Sequence, residues 1–279
     1  MREHLRFAHS GTGFVGFVGL ALALGLALLG PFFAPHPPDL PIGTPYERPS
    51  TEALLGTDFL GRDVVSRVLW GGRSVIALAG VATLLAYAGG LAIGLVSGYT
   101  RSVVDPVLMR SLDVLISFPA LVFLLVLVTG LGTSTAVLVF GVALIQMPAI
   151  ARIIRSATLA QSVRGFVEAA VARGERTFSI LRRELLPNIA STIAADVGIR
   201  FTLAIILVAS VNFLSLGLQP PAADWALMIS ENRSGLTLNP YAVLAPAVMI
   251  ALITIAVNMV SDAIARTRGI SAAVVGARV

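Results

Sequence analysis

The chain of 279 residues is 56% apolar and 13% charged, with a mean hydropathy of +0.89, whereas soluble domains carry about 25% charged residues. This composition excludes an ordinary soluble domain and indicates a protein that spans a membrane. All 20 basic residues are arginine and the net charge is +5, a balance that membrane topology explains without nucleic acid. The absence of cysteine excludes disulfides, thiolate metal sites and thiol catalysis.

Apolar runs of about 20 residues predict six membrane-spanning helices. In chain order the runs are 14–33, 74–98, 114–131, 134–150, 201–218 and 241–261. We expect the third helix to begin near Pro106 and the fifth near Ser191. The first run follows Arg2 and Arg6, as in a signal peptide, but its length favours an uncleaved anchor. The predicted fold class is therefore an all-α membrane protein with a six-helix transmembrane bundle.

The distribution of arginine predicts the orientation of this bundle. With the N-terminus inside, fifteen of the twenty arginines (20 − 5) fall on the inner side. The five outer ones are Arg48, Arg62, Arg67, Arg73 and Arg233. Because inner loops are enriched in basic residues, we expect an N-in, C-in topology. The predicted organisation is a cytoplasmic N-terminus (1–13), a first span (14–33), an extracytoplasmic segment (34–73), a core of five spans (74–265) and a cytoplasmic tail (266–279).

The extracytoplasmic segment is predicted to contain a short helix along the outer membrane interface. Four apolar residues are helically spaced between charged ones: Leu60, Val64, Val68 and Leu69. This amphipathic pattern is typical of a helix that lies on a membrane surface. A second outer segment, 219–240, begins where two consecutive prolines end the fifth helix.

Glycine and proline mark the contacts and kinks expected within the spans. Three glycines recur at every fourth position of the second helix, namely Gly90, Gly94 and Gly98. They form a stripe without side chains along which another helix can approach closely. Prolines remove a backbone donor within the third, fourth and sixth spans, at Pro119, Pro148 and Pro246. Kinks are expected there. Both features fit bundle packing, and a direct part in gating remains the alternative.

Two pairs of opposite charges lie near the inner ends of spans. Arg110 and Asp113 are three residues apart in the third helix, and Asp196 and Arg200 are four apart in the fifth. These spacings place each pair on one helix face, so we expect two structural ion pairs. The alternative is a proton or ion relay, but a proton-coupled carrier usually needs carboxylates nearer mid-span, and the sequence has none there.

The polar loop at about 156–190, between the fourth and fifth spans, is predicted to form one or two short helices outside the bilayer. Its first part has one apolar face, made of Val163, Phe166, Val167, Ala170 and Val171. Gly174 permits a tight turn before the next helix, and Pro187 ends that helix. Such a device fits a cleft on a partner protein. The alternative is a basic helix lying on anionic headgroups.

The loop sequence resembles the coupling-loop motif of the permease subunits of bacterial ABC importers. The motif residues are Glu168-Ala169-Ala170, Gly174 and Leu186-Pro187. Three other motifs resemble the dipeptide, oligopeptide and nickel permease group, and specifically the second of its two homologous permeases. They are Gly56-Thr57-Asp58 with Gly61-Arg62-Asp63 and Ser66-Arg67, Asp113 with Phe118-Pro119, and Phe213-Leu214 with Leu216-Gly217 and Gln219-Pro220-Pro221. The resemblance covers residues 55–262.

The sequence departs from this group at three places. Relatives often have His at Glu184, Ala-Ser at Glu175-Arg176, and Gly at Ala226. The first two changes alter the charge of the loop where it would meet an ATPase, so they bear on which ATPase the protein accepts.

The resemblance implies a permease subunit of the bacterial inner membrane with cytoplasmic coupling helices. Its implied partners are a homologous permease, two cytoplasmic ATPases and an extracytoplasmic binding protein. ATP and Mg would be bound by the ATPases, because this chain has no Gly-x4-Gly-Lys-Ser/Thr loop. The chain itself would be non-catalytic, with no cofactor and no metal site. Peptides are the expected substrate, with nickel complexes or glutathione as alternatives; a secondary transporter and a membrane scaffold are the readings from other classes.

Overall fold

The computed structural model describes residues 11–100 and 103–276, with side chains described between 14 and 264. Its principal helices are α1 Gly11–Leu29, α2 Val64–Thr100, α3 Val104–Ile116, α4 Ala120–Leu131, α5 Thr135–Ser162, α6 Gly165–Ala172, α7 (Thr177–Ser179, Ile180–Leu185 and Leu186–Asn188 in succession), α8 Ala190–Phe213, α9 Trp225–Asn232 and α10 Tyr241–Gly276. These described ranges contain no β-strand, which confirms the all-α prediction.

Five helices are long and apolar enough to cross a membrane, and a sixth span results when α3 and α4 are counted together. The five segments are Phe14–Phe32, Val64–Thr100, Thr135–Ser162, Ala190–Phe213 and Tyr241–Ile264. Each predicted run therefore overlaps helical structure, although the run 114–131 crosses a break and the run 201–218 extends beyond the end of α8 at Phe213. The last helix continues to Gly276, through most of the predicted tail. Residues 1–10, 101–102 and 277–279, with Arg2, Arg6, Arg101 and Arg278 that entered the topology prediction, lie outside the described residues.

The third predicted span is two helices rather than one. The axes of α3 and α4 differ by 83° across the break at residues 117–119. Pro119 lacks an N–H group and disfavours helical geometry in the residue before it, so the first helix stops at Ile116 and the second begins at Ala120. With 12 residues, α4 is about 18 Å long, shorter than a bilayer core of about 30 Å. The expectation of one kinked helix is thus corrected.

The centre of the bundle is the packing of α2 against α5, with α8 and α10 beside them and α1 on the outside of α2 and α10. The predicted glycine stripe faces α5. A Cβ atom added to the stripe would lie 2.6–2.7 Å from atoms of Ile150 at Gly90, of Ala151 and Ile154 at Gly94, and of Thr158 at Gly98. Only glycine permits this approach, which agrees with a packing role. Helices α5 and α10 continue through Pro148 and Pro246.

The outer segment contains no separate interfacial helix within the described residues. Residues 34–63 form turns and two isolated bridges, Pro41 with Arg62 and Thr57 with Asp63, and helical structure begins only at Val64, as the first turn of α2. The predicted amphipathic helix is therefore wrong. Its charged residues are buried against α9 instead of facing water, and the turns need positive φ at Gly56 and Gly61, which a helix would not allow.

Candidate functional site

The loop between α5 and α8 folds as a helix, a glycine turn and a second helix at the end of the bundle opposite the segment 34–63. Helix α6 ends in a Schellman motif: the N–H of Gly174 donates to the carbonyl of Val171 (2.9 Å), and the N–H of Glu175 donates to that of Ala170 (3.1 Å). Gly174 has a φ of +74° and open space around its α-carbon. The turn therefore requires glycine for its backbone conformation and not for lack of room.

A small apolar core fixes this helical pair to the bundle. It consists of Val167 and Ala170 from α6 and Ile180, Leu181 and Leu185 from α7, all buried. Residues Leu95, Val96 and Tyr99 at the inner end of α2 pack against it. Pro187 lies in the last turn of α7, and the chain then enters α8 through Ile189, which is buried against the bundle. The loop is thus packed directly against α2.

The outward face of the loop is partly apolar and carries the motif carboxylate. Glu168 and Ala169 are exposed, whereas Ala170 is buried in the small core. Val171 is 55% and Phe178 72% exposed. Of the apolar face predicted for the first loop helix, Val167 and Ala170 face inward, Phe166 is half-buried, and Val163 and Val171 face outward. Exposed large apolar side chains beside a carboxylate, outside the spans, form a surface suited to a protein partner.

Charged residues around the glycine turn form an exposed network. Arg173 lies 2.6 Å from Glu175 and 3.7 Å from Glu184, and the hydroxyl of Ser179 donates to Glu175 at 3.0 Å. The hydrogen bonds from Arg173 and Ser179 hold the pKa of Glu175 below its ordinary value. Glu175 and Glu184 are the departures from the related permeases noted above. They pair with an arginine of this loop and so leave its outward charge more balanced.

A cleft of about 480 Å³ lies beside the motif carboxylate. It is lined by Tyr99, Ser162, Val167, Glu168, Val171 and Ala172, so it separates α6 from the inner ends of α2 and α5. The surface and the cleft together are the candidate functional site. Leu186 is half-buried and Pro187 exposed at its edge.

The predicted ion pairs differ in outcome. Asp196 accepts from Arg200 at 3.0 Å, as its spacing predicts, and also accepts from the hydroxyl of Tyr87 at 2.8 Å. Asp113 pairs with Arg152 of α5 at 2.5 Å, and Arg110 is exposed without an ion pair to a described carboxylate. The expected Arg110–Asp113 pair is therefore corrected. Asp113 pairs with Arg152 of the neighbouring helix because α3 packs against α5.

Sequence reasoning missed a buried charge cluster at the outer end. We call the outer cluster the four residues Asp58, Arg62, Arg67 and Glu231. Asp58 lies 2.7 Å from Arg62 and 3.3 Å from Arg67, and Glu231 lies 3.3 Å and 3.0 Å from the same two arginines. Burial raises the pKa of Glu231 above its ordinary value. The sequence signal for this cluster is the density of charge just before an apolar helix, a pattern that equally fits an amphipathic surface helix.

A second buried carboxylate caps α9. Asp224 accepts from the hydroxyl of Ser74 (2.7 Å), the amide of Asn212 (3.0 Å) and the backbone N–H groups of Ala226 and Leu227. Burial raises the pKa of this carboxyl, and the four hydrogen bonds oppose the rise. The next residue, Trp225, is fully buried and donates from its indole to the carbonyl of Val68. Helix α9 is thereby fixed to α2 and α8.

No group of His, Asp and Glu suited to a metal ion occurs among the described residues.

Comparison with known proteins finds a family match and two similar permeases. Residues 90–268 match the family described as "Binding-protein-dependent transport system inner membrane component". The chain is 33% identical over 266 residues to the glutathione transport system permease protein GsiD of Pectobacterium atrosepticum, which covers 94% of this chain and 85% of that protein. It is 29% identical over 263 residues to the di/tripeptide transport system permease protein DppC of Pseudomonas aeruginosa, covering 92% and 87%.

A solved structure shares the fold. A chain of the MetNI methionine ABC transporter in an inward facing conformation aligns with a TM-score of 0.55 and 18% identity, over 70% of this chain and 94% of that one.

Proposed function

The chain belongs to the family of binding-protein-dependent transport system inner membrane components and is a multi-pass permease of the bacterial inner membrane, and we propose that it couples the ATP hydrolysis of partner subunits to import. In this proposal it encloses the translocation pathway together with a homologous permease. Two cytoplasmic ATPases hold ATP and Mg, and an extracytoplasmic binding protein delivers the substrate. The chain itself is a non-catalytic subunit.

The observation that carries the proposal is the fixed helix–turn–helix at the inner end of the bundle. Its outward face presents Glu168, Val171 and Phe178, while its inward face packs on α2 through the small apolar core. A partner protein can bind this surface from outside. Because the inward face of the loop packs on α2, the loop should not move independently of the spans. A loop lying on anionic headgroups is the alternative, and the exposed arginines of the loop would suit it: Arg164, Arg173, Arg176, Arg182 and Arg183. The exposed carboxylate of Glu168 and the family match support a protein partner instead.

Small peptides are the proposed substrate class. The relatives reported above are named for glutathione, itself a tripeptide, and for di- and tripeptides. Glutathione import is therefore a variant of the same proposal. Nickel-complex import rests only on the resemblance to the wider permease group, and no residue of the described chain favours it.

Replacing the carboxylate of the loop tests this function. Glu168→Ala removes an exposed side chain, so the chain should insert, fold and pair with the partner permease as the wild type does. In proteoliposomes with the partner permease, the ATPases and the binding protein, we expect peptide import and the stimulation of ATP hydrolysis by loaded binding protein to fall together. The isolated chain should hydrolyse no ATP.

Glu52→Ala is the matched control, since it makes the same change at an exposed acidic residue of the outer segment. It should leave the ATPases' response within twofold of wild type, on the grounds that surface changes have small effects. Wild-type stimulation and import in Glu168→Ala would contradict the coupling role, and ATP hydrolysis by the chain alone would contradict the assignment as a non-catalytic subunit.

A further inference from the structure

A second cleft, of about 420 Å³, opens on the flank of the bundle between α4, α8, α9 and α10. Its wall includes Leu121, Ile206, Ala209, Phe213, Ile229 and Ile250. Phe213 is the last residue of α8, and Ile206 lies seven residues deeper, about 10 Å along the helix. The cleft thus runs from the outer end of the bundle towards the middle of the membrane. Its volume is in the range of small-molecule sites.

The wall of this cleft offers almost only hydrocarbon. The hydroxyl of Ser210, which also lines it, donates to the carbonyl of Ile206 at 2.7 Å and so has already used its proton. The cleft is therefore suited to an apolar group.

A positively charged side chain, that of Arg233, lies at the outer rim of the cleft. The guanidinium of Arg233 lies over the ring of Phe213, 5.7 Å from its centroid, and Arg233 follows one turn after Ile229 at the end of α9. The hydroxyl of Ser230 donates to the carbonyl of Phe213 at 2.6 Å, which fixes α9 to α8 at this rim. Arg233 is exposed, and no described carboxylate forms an ion pair with it. Arg62 and Arg67, in contrast, both form an ion pair with Glu231 within the outer cluster.

The break between α3 and α4 lies next to the cleft, and it limits which surroundings this side of the bundle can have. Leu121 lies two residues after Pro119, and Phe118 is 51% exposed in this chain. Irregular backbone at membrane depth is tolerated where protein or a water-filled cavity covers it, and not where lipid does. The flank that carries the break and the cleft is therefore expected to face the partner permease or a water-filled pathway between the two permeases, and not lipid.

We propose that the cleft and Arg233 form a substrate subsite on the translocation pathway, where the cleft receives an apolar side chain of a small peptide and Arg233 binds its C-terminal carboxylate. This inference rests on the proposed function. A guanidinium matches a carboxylate in charge and in hydrogen-bonding geometry. A phospholipid, with an acyl chain and a phosphate, is the competing occupant, and the experiment separates the two.

The first test is aqueous access. Because the chain has no cysteine, Ser210→Cys can be labelled specifically on this subunit in the assembled transporter, using a membrane-impermeant cationic methanethiosulfonate added outside. We expect labelling, and protection when Ala-Leu is delivered by the binding protein. Leu22→Cys, an exposed apolar position on the peripheral helix α1, is the control and should stay unlabelled. No reaction at position 210, or reaction without protection, would overturn the subsite and favour lipid.

The second test measures import of Ala-Leu and Ala-Gly by variants relative to wild type, so that the selectivity of the binding protein cancels. Arg233→Gln should lower import of both about tenfold, whereas Arg233→Lys, which keeps the charge, should lose about threefold or less. Ala209→Phe, which fills the cleft, should lower import of Ala-Leu at least about fivefold more than that of Ala-Gly. Val248→Phe, two residues from Ile250 and hence on another face of α10, should affect both peptides equally and weakly.

The outcomes distinguish the two levels of inference. Import of both peptides by wild type, with all variants unchanged or with equal losses for both peptides in Ala209→Phe, would overturn the subsite and leave the proposed function intact. Import of neither peptide by wild type, with ATPases that respond to no peptide-loaded binding protein, would overturn peptide transport and the subsite together.

Discussion

At the outer end of the bundle Asp58, Arg62 and Arg67 are at most 2% exposed, whereas at the inner end Glu168, Arg173 and Phe178 project into solvent. Both ends are polar segments between apolar helices, and both contain arginine and carboxylate residues in similar density. At the outer end the four charges of the outer cluster are buried, mutually paired and contributed by three separate parts of the chain. The inner end has its apolar core inside and its charges outside.

This difference indicates two mechanical roles. A buried cluster with every charge opposed is rigid, because moving any member leaves another charge unpaired in a poorly solvated place. An exposed network costs little to rearrange, because water replaces each lost partner. The outer end therefore acts as a fixed frame that positions α9 and the rim of the flank cleft. In the proposed function the inner end is the surface that a partner contacts and displaces.

The largest expected effect is at the outer cluster. Glu231→Ala would leave the buried guanidiniums of Arg62 and Arg67 with Asp58 as their one shared carboxylate. We expect the free energy of unfolding to fall by about 3–5 kcal/mol, as when one partner of a buried ion pair is removed. Thermal denaturation of the detergent-solubilised chain, followed by circular dichroism, measures this. Glu52→Ala is the control on the same side, and it should change stability by less than about 0.5 kcal/mol. Equal melting temperatures for the two variants would show that the buried cluster adds nothing to stability and would remove the argument that the outer end is fixed.

A smaller effect is expected at the glycine turn of the inner end. Gly174→Val meets no neighbouring atom, so its cost arises from the φ of +74° alone, about 1–3 kcal/mol. The strain should misdirect α7, so that import and the ATPases' response to loaded binding protein are lost while the spans remain assembled. Gly165→Val is the matched control: it also enters open space, but without a positive φ. Normal coupling in Gly174→Val, or a global loss of stability equal to that of Glu231→Ala, would contradict the separation of the two ends.

The smallest effect concerns the exposed network. Because its hydrogen bonds lower the folded-state pKa of Glu175, this group stabilises the loop above its unfolded pKa, and that contribution is lost as the pH falls through the lowered folded value. Amide hydrogen exchange of residues 165–188 should therefore be slightly faster at acidic pH than at pH 7, after correction for intrinsic rates. Glu175→Gln should abolish the difference. A large change in global stability over the same range would mean that this network is structural, like the outer cluster.

The sequence predicted those features that depend on neighbouring residues. Long apolar runs favour helices in a bilayer, because hydrocarbon offers no partner for backbone groups, and this explains why every predicted run is largely helical. Fourfold glycine spacing indicates a close helix contact in the same way, and the glycine after α6 stands where a helix end needs positive φ. The resemblance to ABC importer permeases, based on short motifs, is confirmed by the family match over residues 90–268.

The tertiary structure decided those features that depend on residues far apart in the chain. Arg62 and Glu231 are 169 residues apart, so the charges before α2 could not be assigned as buried from their own sequence, and an amphipathic helix was predicted instead. Asp113 has Arg110 one turn away but pairs with Arg152, because α3 packs against α5. The flank cleft likewise needs four helices together. Proline marked the break, but only packing sets its angle, since local sequence fixes where a helix stops and not where the next one lies.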